Sequence, residues 1–177
     1  MTRRKKLFIL FDVIMISILV AIDQWTKQWA IRTLKEQPDI PIIEGILELS
    51  YLENRGAAFG MLQNQKYFFI LITIVVVTLI VFLIFKLPDD KKYNPLHFCL
   101  LGILSGAVGN NLFDRVSYHY VIDFIYVKVI NFPIFNMADI YVCVATFFLC
   151  IYLLFVYKES DLYFISFKEK KYRTFDQ

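Results

Sequence analysis

Four stretches of the chain, at about 7–30, 67–85, 95–113 and 134–157, are apolar almost without a break. Each is long enough to cross the hydrocarbon core of a bilayer, which takes about 20 residues of helix. The second is the cleanest, nineteen residues without a charge. The segments between them are polar enough to leave the membrane. One of these, "ILELSYLEN", sets Leu47, Leu49 and Tyr51 against Glu48, Ser50 and Leu52, a period of two with one mismatch, and so predicts a short strand. "VIDFIYVKVINF", rich in β-branched and aromatic residues, is a suitable partner. The pattern predicts an all-α membrane bundle of four transmembrane helices with a small extracytoplasmic β-sheet platform. It forms a single integral membrane domain over 1–177, with outer loops at about 31–66 and 114–133 and a tail at 158–177.

Composition agrees: 58% of the residues are hydrophobic and 18% aromatic, and the mean hydropathy of +0.56 is too high for a soluble domain. The first span follows "MTRRKK" in the manner of a secretory signal. It lacks a small-residue cleavage pattern, however, and continues into "AIDQWTKQWA" with boundary tryptophans, so a retained helix is expected. With a cytoplasmic N-terminus, twelve Lys and Arg fall on the inner side and six on the outer, with Lys27 at the boundary. The positive-inside rule therefore places both termini in the cytoplasm. The net charge of +3 is explained by this asymmetry and points to no nucleic-acid partner. The basic tail "KEKKYR" reads as an inner-leaflet contact, membrane lipid being the partner. Cys99, Cys143 and Cys150 all lie inside spans without a CxxC or Cys/His cluster, so neither a disulfide framework nor a metal site is expected.

Candidate chemistry collects at the outer boundary. Asp23 and Lys27 are four residues apart and share a helix face, which suits a boundary ion pair or a direct role. "ENRGAAFG" brings the chain back to the membrane with Asn54, Arg55 and the pliant Gly56, a turn that also offers donors. Helix three ends "SGAVGNNLFDR"; its small residues allow close helix contact. Asn111, Asp114 and Arg115 share one face at its exit, where Asp114 reads as fixing a loop. Asp123 follows in "VIDF", and Asn136 and Asp139 stand three apart at the start of the last span. For a helix beginning near Ile134, Asp139 lies about 7 Å below its end, a depth that the Asp123 loop can reach. Two carboxylates meeting near lipid share one proton, an arrangement suited to activating water.

Other systems fit less well. His97 lies about 12 Å along the helix from Ser105 and cannot serve as its base. Asp12 reads as snorkelling toward the four basic residues before it. A transporter or channel subunit would line a path with these acids, but four spans show no repeated half. A lipid-binding scaffold gives the acids no purpose, and the GxGD signature of presenilin-type proteases is absent.

In order, "DQWTK" (23–27), "NRGAAFG" (54–60), "GNNLFDR" (109–115), "VIDF" (121–124) and "FNMAD" (135–139) resemble the sequence boxes of lipoprotein signal peptidase, also called signal peptidase II. The boxes run over about two-thirds of the chain. The resemblance implies a multi-pass aspartic endopeptidase of the bacterial cytoplasmic membrane, active near its outer face. It would cut diacylglyceryl-modified prolipoproteins before the lipidated cysteine. By motif the catalytic pair is Asp123 and Asp139. Asn54, Asn111, Arg115 and Asn136 support substrate or the pair, and Asp23 and Lys27 shape the site. The resemblance also implies no metal or organic cofactor, action on lipid-modified prolipoprotein as a monomer, a platform and a flap over the groove formed in part by "NRGAAFG", and sensitivity to the cyclic peptide globomycin. One box departs from the pattern: counting back from Asp114 selects Asn111, whereas counting forward from Gly109 selects Asn110.

Overall fold

The computed structural model describes residues 3–56 and 61–165, with residues 3–6 in backbone only. Part of the expected flap (57–60) and the basic end of the tail lie outside the described residues. Helix α1 (Arg3–Leu34) leads to strands β1 (Ile40–Ile43) and β2 (Leu47–Asn54), and α2 (Lys66–Lys86) follows. Helix α3 (Asn94–Ala107) continues as a π-helical segment, Val108–Asp114, and a last α turn, Arg115–Ser117. Strand β3 (Val121–Val127) and helix α4 (Met137–Ile151), with a π turn at Tyr152–Val156, follow, and a short 3₁₀ helix, Glu159–Ile165, comes last among the described residues.

Among the described residues four helical stretches are long and apolar enough to cross a membrane: Leu7–Leu34, Lys66–Lys86, Lys91–Ser117 and Met137–Val156. The third is the axis of the bundle, since 56% of its most apolar window is buried in protein against 11% or less in the others. Glycines let α4 approach it. A Cβ on Gly106 would lie 2.4 Å from Val142 Cγ2 and 2.6 Å from the Ala138 carbonyl, and one on Gly102 would lie 2.8 Å from Ala145 Cβ. The small-residue stripe of helix three is therefore a true packing face.

At the end of the bundle where α2 leads into α3, Leu96, Leu100 and Leu104 of α3 pack with Ile80 of α2 and with Tyr93, Tyr157 and Phe164. Tyr93 and Tyr157 stack at 5.8 Å, and each donates its hydroxyl to a backbone carbonyl, of Asp161 and Lys92 respectively. Asp12 does not snorkel. It is buried and sits 2.7 Å from His97 Nε2 on α3. A polar partner 85 residues away is invisible to a reading of local charge, and it removes the reason for the acid to leave the bundle.

At the opposite end of the bundle a three-stranded antiparallel sheet has the order β1-β2-β3. The β2–β3 pair joins the two segments that the sequence suggested. Their register runs from Leu47 opposite Val127 to Asn54 opposite Val121, with a bulge between Leu49 and Leu52. β1 was not foreseen, being four residues with a proline. Its turn into β2 passes through Gly45 at φ 72°, a backbone position that favours glycine. Phe124 seats the sheet on Ala30 and Leu34 of α1. Beyond β3 the chain doubles back, and Phe135 exchanges hydrogen bonds with Ile125 at 2.8 and 3.0 Å. That bridge delivers the start of α4 beneath β3. The helix begins at Met137 rather than near Ile134, because Asn136 caps it.

Candidate active site

Asn136 and Asp139 form a capping box at the head of α4. The Asn136 Oδ1 accepts the Asp139 N–H at 3.1 Å, and Asp139 Oδ2 accepts the Asn136 N–H at 3.1 Å. Two orphan donors of the helix end are thereby satisfied. Asp139 thus lies in the first turn, where backbone dipoles favour negative charge. The same Asn136 side chain, fully buried, donates through Nδ2 to Asp123 Oδ1 at 2.6 Å and to the Ile122 carbonyl at 3.2 Å. One asparagine therefore touches both aspartates.

The remaining oxygens are also occupied. Asp123 Oδ2 accepts from Asn54 Nδ2 at 2.9 Å, and Asn54 Oδ1 in turn accepts the Gly56 N–H at 3.0 Å. Asp139 Oδ1 accepts from Asn110 Nδ2 at 2.7 Å. Burial, followed by the nearby Asp139 charge, pushes the Asp123 carboxyl up to about 7, against the hydrogen bonds from Asn54 and Asn136. Both aspartates line a cavity of about 840 Å³ walled by Leu52, Phe132, Ile140 and Val144. They also line a smaller one of about 230 Å³ that reaches Arg115.

Behind the pair lies a buried ionic cluster. Lys27 Nζ is fully buried and meets Asp23 Oδ2 at 2.8 Å, Asp114 Oδ2 at 2.8 Å and Asn110 Oδ1 at 2.6 Å. Each acid also holds a structural element. Asp23 Oδ1 accepts the N–H of Ala138 in the first turn of α4 at 3.0 Å, and Asp114 Oδ2 accepts the Ile122 N–H at the start of β3 at 3.3 Å. Gln24, which sequence reasoning missed, donates to Asp114 Oδ1 at 2.7 Å. Its place between Asp23 and Lys27 in "DQWTK" was the available signal. Gly109 leaves this cluster room, since a Cβ there would come within 2.7 Å of Asp23 Oδ2.

Arg115 is buried, donates through Nη2 to the Gly56 carbonyl at 2.6 Å, and stacks 4.1 Å over Phe69. Its Nη1 has no hydrogen-bond partner among the described residues. Arg55 lies apart from the aspartates on the rim, half-exposed, 3.4 Å from Glu53. The two asparagines of helix three separate clearly: Asn110 reaches Asp139 and Lys27, whereas Asn111 accepts from Arg115 Nε at 3.0 Å. Asn111 and Asp114 do not share a face as expected: hydrogen bonds of the i→i+5 type place more residues in each turn, so positions three apart diverge, while Asn110 and Asp114, four apart, both meet Lys27. Asn110→Ala is expected to lower turnover by more than Asn111→Ala, by about tenfold, a loss of about 1.4 kcal/mol and the scale of one hydrogen bond to a charged group; a purified-enzyme assay ranks the two. Among the described residues no group of three or more His, Cys, Asp or Glu is placed to hold a metal.

Residues 15–155 match the family model described as Signal peptidase (SPase) II. The lipoprotein signal peptidase of Clostridioides difficile (strain 630) is 39% identical over 148 residues, covering 84% of this chain and 97% of that protein. That of Clostridium tetani (strain Massachusetts / E88) is 43% identical over 146 residues, 81% of this chain and 92% of that protein. A solved bacterial membrane enzyme, determined by the in meso method at 2.3 Å, superposes with a TM-score of 0.72 at 30% identity, covering 93% of this chain and 96% of that one. A second, at 1.9 Å, gives 0.73 and 31% identity over 85% and 96%.

Proposed function

This chain belongs to the signal peptidase II family, and from that premise we propose that it removes the signal peptide from diacylglyceryl-modified prolipoproteins, with Asp123 and Asp139 activating water. The cut falls just before the lipidated cysteine. The observation that carries the reading is the buried Asn136, which binds Asp123 and Asp139 at once in the wall of a cavity large enough for a peptide.

Asp123, with its carboxyl pushed up to about 7, carries the shared proton, and Asp139, whose carboxylate accepts from two N–H groups, Asn110 Nδ2 and the Asn136 backbone, is the base. Asp139 takes a proton from water as the oxygen attacks the scissile carbonyl carbon, and Asp123 gives its proton to the carbonyl oxygen. On collapse, Asp139 passes its proton to the leaving nitrogen while Asp123 recovers one from the diol hydroxyl. The C–N bond breaks, and both carboxyls return to their starting state. Asn54 and Asn136 aim Asp123, and Asn110 aims Asp139. Arg115 lines the smaller cavity beside both aspartates and is a cationic donor for substrate there. Lys27 holds the framework and is too fully engaged to take part in proton transfer. Both termini lie in the cytoplasm, which puts the pair near the outer face, at the depth where a lipid-bearing cysteine is anchored.

The test is incubation of the purified protein with a diacylglyceryl-modified precursor and with its unmodified twin. Cleavage of the lipidated form alone is expected; equal cleavage of both, or of neither, sinks the reading. The rate should also fall above about pH 7, where Asp123 loses its proton, approaching tenfold for each further pH unit. A pH-rate profile flat from 6 to 9 would be incompatible with a shared proton.

A further inference from the structure

The dyad cavity does not end at Val144. A second cavity of about 560 Å³ shares Ile140 and Val144 with it and continues along α4 to Phe148 and Tyr152. Its far walls are Leu19 of α1 and Phe98 of α3. From Ile140 to Tyr152 the helix advances about 18 Å, which is the reach of a long fatty-acyl chain. The lining is apolar almost throughout, and Phe98, Val144 and Phe148 are exposed on it.

The groove is open along the side where these three residues are exposed, and its length and apolar lining suit an extended hydrocarbon chain lying along α4. Position identifies the source. The bond to be cut lies beside Asp139, and the residue that follows it carries the lipid. Its glyceryl group is then within a residue's length of the wall formed by Ile140 and Val144. We infer that this groove seats one acyl chain of the substrate's diacylglyceryl group.

The inference rests on the function proposed above. A bilayer solvates an acyl chain as well as an apolar groove does, so the groove supplies direction more than affinity. Once the chain lies along α4, the glyceryl end fixes which peptide bond meets the dyad. Tolerance of different signal sequences follows, because register is set from the lipid side of the cut.

A precursor carrying a diazirine at the terminal carbon of one acyl chain tests this with the wild-type protein in phosphatidylglycerol vesicles. On irradiation, label is expected on residues 141–152 and on Phe98, displaced by excess unlabelled precursor. Phosphatidylglycerol bearing the same diazirine distinguishes the source. If it labels those positions as strongly and the precursor does not displace it, the groove belongs to bulk lipid and the inference falls. Label confined to α2 or the sheet overturns it too. Leu19→Trp and Phe98→Trp fill the groove, and each should remove label from 141–152; persistence in both contradicts the assignment. A precursor that is not cleaved at all strikes the proposed function itself, whereas normal cleavage with label elsewhere strikes only the groove.

Discussion

Asp139→Asn and Asp123→Asn are each expected to reduce cleavage of a lipidated precursor by at least about 10²–10⁴-fold, the range of general acid–base catalysis. An amide keeps the shape of the carboxyl but neither accepts a proton from water nor delivers one. The folded protein survives because both substitutions are nearly isosteric. Asn at 123 still presents an oxygen to Asn136 Nδ2. At 139 the amide keeps one acceptor for the Asn136 N–H and meets Asn110 with a second donor, since Asn110 Oδ1 is already engaged by Lys27. That mismatch costs about 1 kcal/mol, far less than would unfold the bundle. Turnover by the purified variants, with thermal unfolding in detergent beside it, separates the two effects. Normal turnover by either variant removes that residue from the chemistry.

Lys27→Met should destabilise the protein by about 3–5 kcal/mol, the loss seen when one partner of a buried ion pair is removed. Among the described residues Lys27 is the cation in direct contact with Asp23 and Asp114, both fully buried, and Asn110 Oδ1 loses its donor as well. Both acids also hold elements in place, Asp23 the head of α4 and Asp114 the start of β3. The damage therefore spreads to Asp123 and Asp139. Adding Asp114→Asn to Lys27→Met should recover part of the stability, because one of the two uncompensated charges is gone. A double-mutant cycle in thermal unfolding measures this coupling. Strict additivity would mean that the 2.8 Å contact between Lys27 and Asp114 contributes nothing.

The spans, the pairing of β2 with β3 and the boxes bearing the site residues were legible because each is a local pattern. Hydropathy runs, period-two alternation and short motifs are all written in neighbouring residues. What escaped depended on partners far along the chain or on departures from regular helix geometry. Asp12 was misread because its partner, His97, lies on another helix. The start of α4 was placed three residues early because Ile134 and Phe135 are as apolar as the helix itself. Only the capping box at Asn136 marks the true beginning. Asn110 and Asn111 were indistinguishable because each fits the box, one counted forward from Gly109 and the other back from Asp114, and only their distant partners, Lys27 and Asp139 against Arg115, separate them. Gln24 was passed over because an uncharged amide beside an ion pair leaves no trace in charge patterning.

Asn136 is at once the cap of α4 and the link between the two acids. Opening of that single helical turn and extinction of the chemistry are consequently one event. On warming, or in a bilayer too thin to support the helix end, the enzyme will fall silent while its four spans still stand in the membrane.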